Sequence, residues 1–378
     1  MIKVPINPNI LKWAMRRNKI GPEALALSLD EPIEKINSYI NGSEHPPLGM
    51  LEKISYSKLK IPLALFFFPE PPSLPDSVAK FRRLPESEQR KISVGILAAI
   101  RLAQSFQDSL EALIEQPEND FNEIKSLSSF EASRIAAKAR EKIGVSIKEQ
   151  LRFRSAENFL RFLRHKLEPW GVFTFKGSLE DRAISGFCLD AREFPIIYIN
   201  NSNSFTRQVF TLAHELGHLC FGLSGVTDID ESYISEMDNH NKKLEVKCNQ
   251  FASAFLLPES ENAAIIRLFS KLNIGGVEEA AHIYSISREF VLRRLLQLGA
   301  VSSEVYESWA AKWNKDYLRA RREKDGGDYY ITQLAYLGET YARAAFRRFH
   351  AGQLTHSDLA TCLNIRTSKV LNLEAYLR

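Results

Sequence analysis

Apolar positions recur at helical spacing along most of this chain and give way to strand-like runs in one stretch near its middle. Over residues 1–68 the helices are short and punctuated by proline. Ile10, Leu11, Trp13 and Ala14 mark the first, and Gly21-Pro22-Glu23 opens a second that runs through Leu29. Pro32 opens a third, stopped by Asn41-Gly42, and Pro47 and Pro62 open a fourth and a fifth. Two short helices across a tight turn give this segment a helix-turn-helix outline. Pro69, Pro71, Pro72 and Pro75 make 69–85 an extended linker. Helical stripes return over 86–168: Ile92, Ile96, Leu97 and Ile100, then Ile135, Ala136, Ala139 and Ile143, then Arg154 to Leu167.

Between 169 and 200 the pattern changes. Gly171 to Phe175, Ile184 to Leu189 and Pro195 to Asn200 are strand-like and predict a small sheet. An amphipathic helix follows from Phe205 to Phe221, then a polar loop over Gly222–Asn239, then a helix from Lys242 to Leu257. Beyond Pro258 the chain is helical again. Val277 to Tyr284 and Phe290 to Leu296 flank a turn at Ser285-Ile286-Ser287; a helix covers 331–350; a last pair covers Ser357–Leu363 and Thr367–Leu377. The fold class is therefore mainly α with a small β-sheet (α+β). Its expected divisions are 1–68, the linker 69–85, a central domain over 86–262 and a helical domain over 263–378.

The chemistry is concentrated in the helix 205–221, which carries His214-Glu215-Leu216-Gly217-His218. Residues i and i+4 lie one above the other on a helix, so both imidazoles can reach one metal ion. Glu215 sits about 100° further round the axis, where it can serve a water on that metal as general base. The apolar neighbours Val209, Phe210, Leu212, Ala213, Leu216 and Leu219 predict burial, and Gly217 leaves room for a close approach. A catalytic zinc needs a third protein ligand. The metzincin spacing is excluded, because Phe221 and Ser224 stand where its Gly and His would be. Glu245 on the next helix is the leading third ligand, with Asp228, Asp230 and His240 as alternatives. Asn249, one turn after Glu245, is placed to bond the far nitrogen of a liganding His. Cys220 and Cys248 lie nearby and read as packing residues. In zincins an edge strand beside the metal can hold extended substrate, which makes Ser185, Gly186 and Phe187 the candidate strand.

The two histidines and Glu215, with Glu245-x-x-x-Asn249-x-Phe251-Ala252-x-x-Phe255-Leu256-Leu257-Pro258 downstream, resemble the ImmA/IrrE family of bacterial metallopeptidases. Gly171-Val172-Phe173, Ile197 to Asn200 and Phe210 to Ala213 extend the resemblance, which covers roughly residues 150–260. It implies a zincin-like core, one zinc on His214, His218 and Glu245, and Glu215 as the catalytic carboxylate. It also implies regulated cytoplasmic proteolysis of a repressor or antitoxin, in stress response, mobile elements or toxin–antitoxin systems, with a PIN-type toxin as another partner. The N-terminal segment resembles the lambda-repressor-like helix-turn-helix domain often placed ahead of such peptidases.

Charge bears on the partners. The net charge of +4 is compatible with nucleic acid without requiring it. From Asp30 to Glu44, across the would-be recognition helix, Asp30, Glu31, Glu34 and Glu44 face Lys35 alone, which suits a DNA phosphate backbone poorly. From Ser285 to Lys324 there are nine basic residues against five acidic, and Arg288, Arg293 and Arg294 are the nucleic-acid-binding candidates. The four cysteines form no C-x-x-C pair and read as reduced thiols. The longest apolar run, Ile61 to Phe68, is too short to cross a bilayer, so no membrane partner is expected. The competing reading is a DNA- or toxin-binding regulator, or antitoxin, whose metal site is structural or latent. Glu215 argues against it, since a structural site needs ligands but no general base.

Overall fold

The chain divides into two units, Met1–Arg101 and Leu102–Arg378. The computed structural model describes residues 3–18, 20–59, 61, 63–67, 69–71, 94–126, 131–179, 184–191, 193–222, 225–228, 239–320 and 327–377. Most of the expected linker 69–85 lies outside the described residues.

In the first unit, α1 (Pro8–Arg17) starts at Asn7, whose side chain accepts from the Asn9 amide. It is followed by α2 (Pro22–Leu29), α3 (Ile33–Asn41) and α4 (Leu48–Glu52), the last running into a wide helical turn over Lys53–Leu59. Left-handed residues end two of these helices: Asp30 at φ 56° and Gly42 at φ 77°. Ile10, Leu11, Leu25, Ile36, Leu51 and Phe66 form a core of this unit's own. Lys35, the only cation of α3, is held by Glu31 at 2.8 Å.

The second unit begins within α5 (Val94–Leu113) and continues with α6 (Ala132–Lys142) and α7 (Ala156–Leu167). A four-stranded sheet follows, built from β1 (Phe173–Gly177), β2 (Ile184–Leu189), β3 (Ile196–Asn200) and β4 (Gly225–Asp228) in the order β1-β3-β2-β4. β1 runs parallel to β3, while β2 is antiparallel to both β3 and β4. Between β3 and β4 comes α8 (Phe205–Cys220), and after the sheet α9 (Asn239–Leu256), which packs on both α6 and α8. The segment 222–239, expected to be loop throughout, contributes β4. Four residues without hydrophobic alternation do not announce a strand, and pairing to β2 makes them one.

The remaining helices are α10 (Asn262–Leu272), α11 (Ile274–Tyr284), α12 (Arg288–Gln297), α13 (Ser303–Ala320), α14 (Tyr329–Leu337), α15 (Glu339–His350), α16 (His356–Cys362) and α17 (Val370–Glu374). The single helix expected over 331–350 is two, because Gly338 between them adopts φ 89°. One core joins Leu163 of α7, Leu212 and Leu216 of α8 and Phe251 of α9 to Ile265, Val277, Leu292 and Trp313. The division expected at 262/263 therefore falls inside a continuous core. No described helix is long and apolar enough to cross a membrane.

Candidate metal centre

The centre rests on two close approaches. Helix α8 is capped by Ser204, whose hydroxyl accepts from the Arg207 amide. It lies tight on the sheet at Gly186, where a Cβ would come 2.7 Å from Thr211 Cγ2 and 2.6 Å from the Tyr198 carbonyl. On its other side α9 comes close at Gly217, where a Cβ would sit 3.1 Å from the Phe251 ring and 3.5 Å from Cys248 Cα. Burial of Val209, Leu212, Ala213, Leu216 and Leu219 fixes the rotation of α8. His214 and His218 thereby face Glu245 of α9.

His214 Nε2 and His218 Nε2 are 3.1 Å apart. Glu245 Oε2 is 3.2 Å from the first and its Oε1 3.2 Å from the second. All three residues are buried, and among the described residues they form the group able to hold a metal ion. Donors about 2.0–2.1 Å from a tetrahedral zinc sit roughly 3.3 Å from one another, so this spacing fits zinc closely. The donor chemistry fits as well: two imidazoles and a carboxylate leave a fourth position for water or substrate. His214 Nδ1–H donates to Asn249 Oδ1 at 2.8 Å, which fixes the tautomer and leaves Nε2 as a lone pair aimed at the centre. Glu215, the next residue along α8, is wholly buried and near Cys248.

The charges agree with a cation site. Burial raises the Glu245 carboxyl, yet His218 and His214 outweigh it and hold it well below the usual carboxylate range. Burial opposes a charge on His218, but the Cys248 thiol and the Glu245 carboxylate beside it raise its pKa well above the ordinary value.

Buried side chains secure the far end of α9. Arg140 of α6 donates to the Phe255 carbonyl at 2.6 Å and to Gln150 Oε1 at 3.0 Å. Gln150 in turn donates to the Leu256 and Tyr284 carbonyls. Arg294 of α12 donates to the Ser253 carbonyl and hydroxyl, the Leu257 carbonyl and Asn262 Oδ1. These groups satisfy the carbonyls that a helix end leaves open, and their charge complements its dipole. Of the three arginines expected to meet nucleic acid, Arg294 alone is buried. Arg293 bonds the Tyr306 hydroxyl and Glu289, and Arg288 pairs with Glu278 and covers the Trp313 ring. Helix carbonyls receive Arg294, while Arg288 stays exposed and Arg293 half-buried beside their acidic and aromatic neighbours.

The edge-strand expectation for Ser185, Gly186 and Phe187 is corrected. β2 lies inside the sheet, paired on both sides, and its register shifts between Ile184 and Gly186. Ser185 Oγ accepts from Arg207 Nε and Nη2 at 3.2 Å each, tying the sheet to the start of α8. Phe187 stacks on Tyr198. Among the described residues, the strand at that end of the sheet is β4. The side chains of the alternative ligands Asp228, Asp230 and His240 lie outside the described residues.

Two features beside the centre extend the sequence reading. Phe210, tilted against His214 at 6.1 Å between ring centroids, meets Phe290 of α12 at 6.1 Å, and both rings are partly exposed. They form an apolar wall beside the centre. The second feature is Cys248, whose i+3 spacing from Glu245 puts it on the same face of α9, toward His218. Spacing alone was the available signal for it.

A His-Glu-x-x-His helix on a small sheet, with a carboxylate facing both histidines from the following helix, is the arrangement of a candidate metal centre of zincin type. Among known families, residues 168–296 match the model described as the IrrE N-terminal-like domain, Peptidase M78, a zincin-like peptidase family. The match runs from the turn before β1 to the end of α12 and includes His214, Glu215, His218, Glu245 and Asn249. No curated protein matches the chain.

Proposed function

We propose that this protein is a zinc-dependent endopeptidase of regulatory type that cleaves or controls a repressor or antitoxin protein. The observation that carries the reading is the convergence of His214, His218 and Glu245 donors at 3.1–3.2 Å beside Glu215. A zinc ion held there supplies Lewis acidity, acidifying water and polarising the scissile carbonyl. Glu215 takes the proton from the attacking water and returns it to the leaving amine. Asn249 keeps His214 in the ligating tautomer. The buried surroundings strengthen each of these interactions.

The wall of Phe210 and Phe290 favours substrates with an apolar side chain next to the scissile bond. An extended substrate has β4 available as the edge strand in place of β2. The four free cysteines agree with a reducing, cytoplasmic setting. For the N-terminal unit a protein partner is favoured over DNA, because Lys35 is engaged by Glu31 and α3 carries no other cation.

The test is digestion of a mixed peptide library by the zinc-loaded protein. The expected products are internal cuts flanked by an apolar residue, abolished by chelation, with Phe290→Ala weakening that preference about tenfold. Cuts confined to chain ends would remove the endopeptidase assignment. A preference unchanged by Phe290→Ala would remove the wall.

A further inference from the structure

One backbone pattern occurs three times along the chain. Asp30, Ser285 and Asn364 all adopt left-handed backbone, at φ 56°, 58° and 49°. Each closes a helix, and four residues before each stands an alanine: Ala26, Ala281 and Ala360. The residue after each turn donates its amide to that alanine's carbonyl: Glu31 at 3.1 Å, and Ile286 and Ile365 at 3.0 Å. Six residues beyond each turn, Ile36, Val291 and Val370 are wholly buried. A small residue on the first helix, a left-handed turn and a buried anchor on the second make a helix-turn-helix. The three pairs are α2–α3, α11–α12, and α16 with α17, the last entered through one tighter turn at Thr367–Lys369.

What the second helix turns outward separates the pairs. In the first, exposed Glu34 stands near Asp30 and Glu31, and such a face repels phosphate. In the second, Leu292 is wholly buried and Arg294 donates to the end of α9, so α12 is packed away. In the third, Arg366, Thr367, Ser368, Leu371 and Asn372 are all exposed, and none is acidic. The acids of this pair are engaged. Asp358 accepts from the Thr355 amide and hydroxyl, and Glu374 meets His350. Lys369 lies 3.6 Å from the centroid of the Tyr329 ring and adds a cation beside α17. An open face of small polar groups bordered by cations matches base edges set between phosphates.

We propose that α16 and α17 form a head that binds duplex DNA, with α17 as the helix that enters the major groove. A recognition helix reads bases with residues near its N-terminus while its flanks meet the backbone. Arg366 and Lys369 meet phosphates, and Ser368 and Asn372 meet base edges. Leu371, 58% exposed, meets a thymine methyl group. Asn372 donates one N–H to the Tyr330 hydroxyl at 3.1 Å, which orients its amide. Its other N–H and its Oδ1 then match N7 and N6 of adenine. The proposal is independent of the metal centre, and it assigns DNA to the last helix pair rather than to the N-terminal one.

The test is selection from randomised duplex DNA by the full chain, followed by fluorescence anisotropy on an enriched duplex. Asn372→Ala is expected to weaken that duplex about tenfold and to level the preference at one A·T position. Arg366→Ala is expected to weaken all duplexes alike and to reduce the slope of log affinity against log salt by about one. Lys35→Ala and Arg288→Ala, on the other two pairs, are expected to leave binding unchanged. Melting temperatures equal to wild type show that each exposed substitution leaves the fold intact. A pool in which no duplex is enriched would overturn the proposal. So would an enriched duplex bound equally by wild type, Arg366→Ala and Asn372→Ala. Self-association lost on Leu371→Asp, with no duplex retained, would make this face a protein interface and overturn the proposal as well.

Discussion

Glu215→Gln is expected to slow peptide hydrolysis by about 10²–10⁴-fold, the usual worth of a positioned general base. Zinc affinity should change far less than the rate, because the three converging donors of His214, His218 and Glu245 are untouched. The separation follows from the geometry. The three donors that converge belong to His214, His218 and Glu245, and Glu215 is displaced around α8 from the histidines. Gln keeps the shape of Glu in a wholly buried position, so packing is preserved while the proton acceptor is lost. Steady-state cleavage of a library-derived peptide, alongside zinc titration, measures both. An unchanged rate would take the general-base role from Glu215. Loss of zinc together with loss of rate would make Glu215 part of the binding set.

Arg294→Ala is expected to destabilise the second unit by about 3 kcal/mol, since it strands buried carbonyls that a charged donor now satisfies. For a domain of this size that lowers Tm by roughly 6–12 °C. The Ser253 and Leu257 carbonyls, at the end of the helix that carries Glu245, lose their Arg294 donor, and so does Asn262. Arg294→Lys should restore only part of the loss, because an ammonium group lacks the planar fork that spans these acceptors. Thermal melting of the three proteins decides the matter. A solvent-facing arginine kept for nucleic acid would change stability by no more than about 0.5 kcal/mol on truncation, and that outcome would restore the reading of this helix as a nucleic-acid face.

The metal centre was legible in the sequence because its determinants are local. His214 and His218 share a helical face by spacing alone, and Glu245 and Asn249 repeat the device on the next helix. Gly217 announced a close approach, and Cys248 and Phe251 of α9 are what approaches. Helix starts at Pro8, Pro22 and Leu48 follow the proline and asparagine punctuation of the N-terminal segment. The rest depends on contacts distant in sequence. Ser185, Gly186 and Phe187 look like an edge until Gly225–Asp228 is known to pair beside them. Arg294 and Arg288 differ little as letters in a basic run. Only the packing of α12 against the end of α9 buries the first and leaves the second exposed. The same holds for Arg140, whose acceptor Phe255 lies far along the chain.

The claim at the centre of this account is peptide-bond hydrolysis by zinc-loaded protein through Glu215. The most direct measurement compares wild type and Glu215→Gln in a lysate of the source cells, reading new peptide N-termini by mass spectrometry. The account predicts a small set of new termini with wild type, absent with Glu215→Gln and absent after chelation, concentrated in one or a few regulatory proteins. Identical termini from both proteins, each carrying bound zinc, would contradict it.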